Sequence, residues 1–236
     1  MWAEVTAVVL CGGLGTRLRS VVHDRPKILA EVEGRPFAHY VLERIASLGV
    51  RRAVLCTGHL GDQIEAALGR SLFGLELVYS RETEPLGTGG ALFAAREHIF
   101  TELVLVANGD SYCDADPSSF LAFHRARQST ATLLLVRVED ARAFGRVVLA
   151  SDGRIVGFKE KAEELAPAWV NAGAYLFAAS RLDTIPKRCP LSLERDVLPA
   201  WIESGLWGFA STGKLLDIGT PASYQAAAGF LIGVPR

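Results

Sequence analysis

A glycine-rich loop that follows a short apolar run is the segment of this chain best suited to chemistry. The run at 5–10 is apolar and rich in valine, which is typical of a strand buried on both faces. Because glycine has no Cβ, the backbone after this run can turn sharply and bring its N–H groups close to phosphate oxygens. The glycines concerned are Gly12, Gly13 and Gly15. The segment therefore predicts a strand that ends in a phosphate site.

Basic side chains close to these glycines favour the same interpretation. Arg17, Arg19 and Lys27 supply cations that can offset the charge of a polyphosphate. A tight strand-to-helix turn in an ordinary α/β domain would also explain the glycines. A dinucleotide fingerprint fits less well, because Leu18 stands where its third glycine should be, and the chain has no G-K-[ST] sequence of a P-loop.

The motif GGLGTRL at 12–18, followed by PK at 26–27, resembles the signature of sugar-1-phosphate nucleotidylyltransferases. These enzymes join a nucleoside triphosphate to a sugar 1-phosphate and release pyrophosphate. Among subfamilies, RLRSVVHDRPK together with SLERD resembles the D-glycero-D-manno-heptose 1-phosphate guanylyltransferases most. Further matches extend along nearly the whole chain: PLGTGGAL at 85–92, NGD at 108–110, FGRV at 144–147, FKEK at 158–161, NAGAYLF at 171–177, SLERDVLP at 192–199 and DIGTPASY at 217–224.

The resemblance implies a role for individual residues. Arg17 would contact the triphosphate and the leaving pyrophosphate, and Lys27 would bridge the α-phosphate and the attacking oxygen. Lys161 would hold the sugar phosphate, although a solvated surface position is the commonest fate of a lysine. The positions implied for the nucleotide are Leu10, Gly12, Gly13, Gly15, Thr16, Glu82, Gly87 and Thr88. The positions implied for the sugar phosphate are Gly145, Glu160, Lys161, Asn171 and Gly173, with Glu160 and Asn171 on sugar hydroxyls.

Two aspartates are the metal-ligand positions that the resemblance implies. Asp110 closes the apolar segment LVLVANGD, and Asp217 follows an apolar pair and precedes a glycine. Mg²⁺ prefers carboxylate and phosphate oxygens, and proteins commonly offer it only one or two carboxylates. Either aspartate by itself could equally form a turn or cap a helix. Asp116, which precedes Pro117, is predicted to be such a helix cap.

Glu82 is the candidate for recognition of the base. Guanine presents two adjacent donors, N1–H and N2–H₂, and a carboxylate is an acceptor that can take both. We therefore expect Glu82 to read guanine, while Gly87 lets the backbone approach the base. The competing interpretation is a surface glutamate within the charged run RETE.

The order of apolar segments predicts an α/β fold. Strands near 5–10, 52–56, 75–79 and 103–107 alternate with helices near 36–48, 61–69 and 89–99. This alternation favours a Rossmann-like, mostly parallel central sheet with helices on both faces, whose ligands bind beyond the carboxyl ends of the strands.

From about Thr132 the chain becomes rich in β-type sequence, which resembles the family's small sugar-binding lobe. Ser151, Asp152 and Gly153 lie between two apolar runs and predict a hairpin turn, and helices are expected near 194–203 and 221–231. We expect a single nucleotidyltransferase domain over 1–236, with a nucleotide-binding half at about 1–130 and the lobe and last helices at about 131–236.

Composition narrows the classes of partner. The 236 residues are 50% hydrophobic with a formal net charge of −1, which argues against nucleic acid or a membrane surface as a partner. Four cysteines without CxxC spacing and no secretory leader predict a reducing, cytoplasmic location. Trp201, Trp207 and the apolar last helix could form core or the face of a homodimer.

The expected substrates are a nucleoside triphosphate, with GTP favoured, and a sugar 1-phosphate, with Mg²⁺ as cofactor. A manno-heptose 1-phosphate is the first expectation, because it follows the subfamily resemblance. Mannose 1-phosphate comes next, and glucose 1-phosphate with a uridine or thymidine nucleotide follows. The alternative from another class is a catalytically silent regulator that binds sugar nucleotides. Such a protein would typically lack a metal aspartate or a phosphate-loop cation, and this chain has all of them.

Overall fold

The computed structural model describes residues 1–13, 15–159 and 165–232. Its strands are β1 (Val5–Leu10), β2 (Glu31–Val32), β3 (Arg35–Pro36), β4 (Arg52–Thr57), β5 (Ser71–Leu72), β6 (Leu75–Arg81), β7 (Leu103–Asn108), β8 (Ser111–Cys113), β9 (Ala131–Val138), β10 (Arg146–Leu149), β11 (Ile155–Lys159), β12 (Ala168–Ala178), β13 (Leu206–Ser211) and β14 (Leu215–Asp217). Its α-helices are α1 (Phe37–Ser47), α2 (Gly61–Leu68), α3 (Gly87–Ala95), α4 (Pro117–Ala126), α5 (Ala179–Leu182), α6 (Leu198–Ala200) and α7 (Pro221–Ile232). Short 3₁₀ turns cover Trp2–Glu4, Thr16–Leu18, Lys27–Leu29 and Arg96–His98, and a π-helical turn covers Leu193–Val197.

The four strands expected from the first half form the parallel centre of the main sheet. They lie in the order β7-β1-β4-β6, and each pairs with its neighbour in parallel. The side chains of β1 are buried along nearly its whole length, as its continuous apolar run predicts. The predicted mostly parallel centre is therefore confirmed.

The β-rich second half continues the same sheet. β12 pairs with β7 in antiparallel orientation, and it also pairs with β9 and β10. β10 and β11 form the hairpin expected around 151–153, and Gly153 has a φ of 92° in its turn. Hydrogen bonds between strands therefore run without a break from the parallel half into the β-rich half.

Helices cover both faces of this sheet, as the sequence predicts. One core cluster packs α1, α2, α4 and α7 against the sheet, and a second packs α3 with the segment around the π-helical turn on the other face. Asp116 caps α4 as expected, because its carboxylate accepts the N–H groups of Ser118 and Ser119. Trp201 is buried in the second core cluster, where it packs edge-on against Phe177.

Two of the predicted helices are shorter or differently wound than expected. The helix predicted near 89–99 is α3, which ends at Ala95 and passes into a 3₁₀ turn. The helix predicted near 194–203 is the π-helical turn followed by the three residues of α6. Pro199 has no N–H, so it cannot donate to the preceding turn as a regular helix ladder requires.

The carboxyl ends of the central strands bring distant segments together. Leu10 at the end of β1 lies opposite Asn108 at the end of β7, and the N–H of Gly109 donates to the carbonyl of Leu10 at 2.9 Å. β14 pairs with β8 so that Asp217 lies opposite Ser111. No helix in the described part of the chain is both long and apolar enough to cross a membrane.

Candidate active site

A cavity of about 410 Å³ opens at the carboxyl ends of β1, β4 and β7. We call it the phosphate-loop cavity, because the loop after β1 forms one of its walls. It is lined by Leu10, Cys11, Gly12, Gly13, Gly15, Thr16, Arg17, Lys27, Ile28, Cys56, Glu82, Pro85, Gly87, Thr88, Ala91, Asn108, Gly109, Asp110 and Gly219. All eight residues predicted for the nucleotide are in this list, as are both predicted catalytic cations and Asp110.

Two cations and two carboxylates meet at one end of the cavity. The ammonium group of Lys27 donates to Oδ2 of Asp110 at 2.6 Å. A Cβ placed on Gly219 would lie 3.1 Å from Nη2 of Arg17 and 3.2 Å from Nζ of Lys27, and it would clash with Oδ1 of Asp217. These groups therefore surround Gly219, although they come from three separate segments of the chain.

The electrostatic environment of Asp217 shows how tightly the carboxylates are grouped. Burial raises the pKa of Asp217, and the negative charge of Asp110 raises it further. The cations of Lys27 and Arg17 act in the opposite direction. A further positive charge at this point would therefore lie between two carboxylates that repel each other.

The donor set at this point fits a hard divalent cation. Carboxylate oxygens are the ligands that Mg²⁺ prefers, and one or two of them suffice when substrate phosphates complete the coordination. Within residues 1–13, 15–159 and 165–232, no three histidine, cysteine or acidic side chains form a metal cluster of their own. Asp110 and Asp217 therefore fit a metal that binds together with a phosphate ligand.

Glu82 lines the phosphate-loop cavity, as its predicted role requires. Its Oε2 accepts the backbone N–H of Leu86 at 2.9 Å, and its Oε1 would lie 2.9 Å from a Cβ placed on Gly12. Burial raises the pKa of Glu82. The carboxylate thus lies over the phosphate loop, whereas Glu84 of the same charged run is exposed.

Gly87 lies at the cavity for a reason that the sequence does not reveal. Its φ is 74°, and a Cβ at this position would lie 2.5 Å from the carbonyl oxygen of Leu191. The backbone that approaches Gly87 in the structure is therefore this chain's own segment before the π-helical turn. Only glycine fits this contact, whatever ligand the cavity takes.

The residues predicted for the sugar phosphate are more dispersed. Gly173 lies beside Asn108 of the cavity wall, since a Cβ on Gly173 would be 3.0 Å from Nδ2 of Asn108. Asn171 bonds to Tyr175 and to the N–H of Gly173. Gly145 immediately precedes β10 and does not line the cavity. Glu160 and Lys161 lie outside the described residues.

Arg19 does not line the phosphate-loop cavity with Arg17. It lines a second cavity of about 330 Å³ on the other side of the loop, together with His23, Arg25 and His59. Arg25 forms ion pairs with Asp24 and Glu31 there. Of the three cations expected around the glycines, only Arg17 and Lys27 thus lie with the acidic pair.

Several residues that line the cavity were not predicted as individual site residues, and two of them have polar or steric roles. Asn108 lines the cavity, and its buried Oδ1 accepts no hydrogen bond from the part of the chain that the structure describes. Gly219 leaves room for the cations beside Asp217. The signals were present in the NGD and DIGTPASY motifs, from which only the aspartates were chosen.

The chain is similar to known proteins along nearly its whole length. A family model described as nucleotidyl transferase matches residues 6–232. A mannose-1-phosphate guanylyltransferase of Mycobacterium tuberculosis is 37% identical over 97% of this chain and 65% of its own length. A D-glycero-alpha-D-manno-heptose 1-phosphate guanylyltransferase of Aneurinibacillus thermoaerophilus is 33% identical over 94% of this chain and 96% of its own length.

A solved structure has a fold similar to that of this chain. The crystal structure of HddC from Yersinia pseudotuberculosis complexed with GMP-PN matches with a TM-score of 0.85, 30% identity and coverage of 96% of this chain and 99% of that one. The chain spans 65% and 60% of the length of two of the curated relatives, which are mannose-1-phosphate guanylyltransferases. Together with the loop, cavity and paired aspartates described above, these matches establish that the chain belongs to the nucleotidyl transferase family.

Proposed function

We propose that this protein transfers GMP from GTP to a sugar 1-phosphate, with a manno-heptose 1-phosphate as the preferred acceptor, and releases pyrophosphate. The observation that carries the proposal is the meeting of Arg17 and Lys27 with Asp110 and Asp217 at one end of the phosphate-loop cavity. A nucleotidyl transfer needs this set of charges, because two phosphate-bearing substrates must approach each other. The guanylyltransferases among the similar proteins support guanosine as the nucleoside.

The chain's own residues would mainly position and neutralise the substrates. A sugar 1-phosphate is already an ionised nucleophile at neutral pH, so the reaction needs no covalent intermediate with the enzyme. Lys27 would lie between the α-phosphate and the attacking oxygen, and Arg17 would stabilise the charge that builds on the leaving pyrophosphate. Holding both substrates in position for in-line attack can lower the activation free energy by about 7 kcal/mol or more in well-oriented systems.

A divalent cation would be held by Asp110 and Asp217. Mg²⁺, when bound, would supply positive charge to the triphosphate and so favour attack at the α-phosphorus. The family generally uses a divalent metal, and Mg²⁺ as that metal is our proposal. Lys27 forms an ion pair with Asp110.

Glu82 would read the guanine base. Its Oε2 already accepts the N–H of Leu86, and its Oε1 lies beside Gly12 of the phosphate loop. Each carboxylate oxygen has two acceptor sites, so a base can still bond to both.

A cytoplasmic location and a homodimer remain predictions.

Mannose 1-phosphate is the second candidate for the acceptor. The mannose-1-phosphate guanylyltransferase of M. tuberculosis has a higher identity to this chain, at 37%, than the heptose enzyme has, at 33%. The heptose assignment is supported by the RLRSVVHDRPK and SLERD motifs. Glucose 1-phosphate with a pyrimidine nucleotide has only a fold similarity in its favour, at 21% identity.

The test is pyrophosphate release with Mg²⁺ from GTP, ATP, CTP, UTP and dTTP, each combined with heptose, mannose and glucose 1-phosphates. We expect release to be fastest with GTP and the heptose. A preference for mannose 1-phosphate would move the protein to the second candidate. If nucleotides bind but no pair releases pyrophosphate, the catalytic proposal fails and a sugar-nucleotide-binding regulator takes its place.

A further inference from the structure

A glutamate of the π-helical turn is bonded to the first turn of α3. Oε2 of Glu194 accepts the hydroxyl of Thr88 at 2.9 Å and the hydroxyl of Ser192 at 3.2 Å. Thr88 in turn accepts the backbone N–H of Leu193 at 2.8 Å. Because Thr88 lines the phosphate-loop cavity, Glu194 is one side chain away from the nucleotide end of that cavity.

The other oxygen of the same carboxylate leads towards the sugar side. Oε1 of Glu194 accepts the hydroxyl of Tyr175 at 3.3 Å. Nδ2 of Asn171 donates to the Tyr175 oxygen at 2.7 Å, and Oδ1 of Asn171 accepts the N–H of Gly173 at 2.9 Å. The chain of hydrogen bonds therefore ends at the asparagine that is expected to bind sugar hydroxyls.

The carboxylate sets the direction of every bond in this chain. A carboxylate only accepts, so Thr88 and Tyr175 must both point their single hydroxyl hydrogen at Glu194. Burial, followed by the charge of Glu194, raises the pKa of Tyr175 well above its usual value, so Tyr175 keeps that hydrogen. Its oxygen is then an acceptor, which requires the N–H side of Asn171 to face it. The Asn171 amide is thus held in one orientation from both ends: its Oδ1 accepts the N–H of Gly173, and its Nδ2 donates to the Tyr175 oxygen, whose hydrogen Glu194 accepts.

The surroundings of the chain make this orientation hard to change. Tyr175 is fully buried, with 0% of its surface exposed. The π-helical turn that carries Glu194 is a rare conformation, which is frequently found at functional sites. Gly173 lies against Asn108 of the cavity wall, so the end of the chain is next to the cavity.

We propose that Glu194 is a positioning residue that holds Thr88 at the nucleotide end and, through Tyr175, orients the amide of Asn171 towards the sugar. This inference rests on the proposed function, because it assigns Asn171 to the sugar of that reaction. Glu194 touches neither reacting group, and it acts only through its two hydroxyl partners.

Glutamine at position 194 would disturb the bond to Tyr175 and leave the bonds to Thr88 and Ser192 in place. Oε2 accepts two hydroxyls and Oε1 accepts one, so the single oxygen of a glutamine keeps more bonds when it faces Thr88 and Ser192. Its NH₂ group would then face Tyr175 and donate to it. The hydroxyl hydrogen of Tyr175 would then have no acceptor, unless the Asn171 amide turned over to accept it and lost the bond from Gly173; either change disturbs the Asn171 end of the chain.

The experiment measures KM for GTP and for heptose 1-phosphate, or for mannose 1-phosphate if that is the better acceptor, in Glu194→Gln, Tyr175→Phe and the double variant. We expect Glu194→Gln to raise KM for the sugar 1-phosphate by about tenfold, the effect of one hydrogen bond to a charged group, and to leave KM for GTP unchanged. Tyr175→Phe should do the same. The double variant should raise KM for the sugar 1-phosphate no further than either single variant, because both substitutions break the same bond, between Glu194 and Tyr175.

Controls separate this role from a structural one. Arg195→Gln changes the exposed neighbour of Glu194 and should leave both KM values unchanged. Equal rises in both KM values for Glu194→Gln, or effects that add in the double variant, would overturn the inference. If Glu194→Gln does not fold, Tyr175→Phe alone still decides whether KM for the sugar changes selectively.

A second readout does not depend on turnover. The side-chain NH₂ resonances of Asn171 in a ¹⁵N spectrum, assigned by their loss in Asn171→Asp, should shift in Glu194→Gln and Tyr175→Phe and stay in place in Arg195→Gln. Unshifted resonances would overturn the inference. If the wild-type protein releases no pyrophosphate from any substrate pair, the proposed function fails, while these resonances still decide whether Glu194 orients Asn171.

Discussion

At the scale of single residues, Lys27 both forms an ion pair and supplies a cation at the cavity. Its side chain is only 13% exposed, its ammonium group pairs with Asp110, and it lies near the guanidinium of Arg17 around Gly219. The pairing gives a partly buried carboxylate a partner of opposite charge. It also keeps a cation ready beside the cavity for an incoming phosphate.

The first prediction at this scale separates two arginines that are neighbours in sequence. Arg17→Ala should lower kcat/KM by about 100-fold, because a cation that stabilises the charge on pyrophosphate is lost. Arg19→Ala is the matched control, since Arg19 lines the other cavity, and its effect should be much smaller. The measurement is the steady-state rate of pyrophosphate release. An unaltered rate for Arg17→Ala would remove this residue from the mechanism.

The second prediction concerns the choice of base. Glu82→Gln should lower kcat/KM for GTP by about tenfold relative to UTP and dTTP, because an amide cannot accept at both of its ends. The matched control is Glu84→Gln in the same charged run, where the side chain is exposed. Competition between GTP and UTP measures the ratio directly. If Glu82→Gln keeps the wild-type ranking of nucleotides, base recognition lies elsewhere.

At the scale of elements, the start of α3 is tied to the segment that leads into the π-helical turn. The N–H of Leu191 donates to Leu86, and its carbonyl accepts the N–H groups of Gly89 and Gly90. This contact places the first turn of α3 against the backbone that carries Glu194. The two elements are therefore expected to respond together to a change in either one.

A prediction at this scale tests the close approach at Gly87. Gly87→Ala should destabilise the fold by more than about 2 kcal/mol, because the new Cβ meets both a left-handed φ and the carbonyl of Leu191. Gly49→Ala is the control, since Gly49 has a φ of 89° and nothing lies within 4 Å of a Cβ there. Gly49→Ala should lower the free energy of unfolding only by the cost of the left-handed backbone conformation, about 1 to 2 kcal/mol. Urea unfolding measures both, and equal losses would contradict the contact.

At the scale of the whole molecule, the main sheet joins what the sequence divides into two halves. β7 from the first half and β12 from the second are hydrogen-bonded neighbours over Ala174–Ala178. The two core clusters each contain residues from both halves, so neither half buries its apolar surface alone. A lobe that shares a sheet and both core clusters has no hydrophobic core of its own.

The prediction that follows is a single unfolding transition, as the expected single domain requires. Trp2 belongs to the first half and to one core cluster, whereas Trp201 belongs to the second half and to the other. Trp169 and Trp207 also belong to the second half, so the first half is followed in a Trp169→Phe/Trp201→Phe/Trp207→Phe variant, which keeps only Trp2, and the second half in Trp2→Phe. In each variant, fluorescence during urea unfolding should give the same midpoint as far-ultraviolet circular dichroism. Two distinct midpoints within one variant would show that the halves unfold separately.

The sequence by itself determined the local features of the protein. The apolar runs predicted the four parallel strands of the first half, the glycines after β1 predicted the loop that lines the cavity, and Asp-Pro predicted the cap of α4. These features depend on residues a few positions apart, whose spacing and backbone preferences are written in the chain. Family motifs extended the prediction to the residues that line the cavity.

Only the tertiary structure decided which distant groups meet and which way they face. Asp217 reaches Asp110 because β14 pairs with β8, and Arg19 leaves Arg17 because the loop turns between two cavities. The Asn171 amide is linked to Glu194 of the π-helical turn through Tyr175, which lies on the same strand, β12, as Asn171. Strand pairing and hydrogen-bond direction across such separations follow from packing of the whole sheet, which no short stretch of sequence encodes.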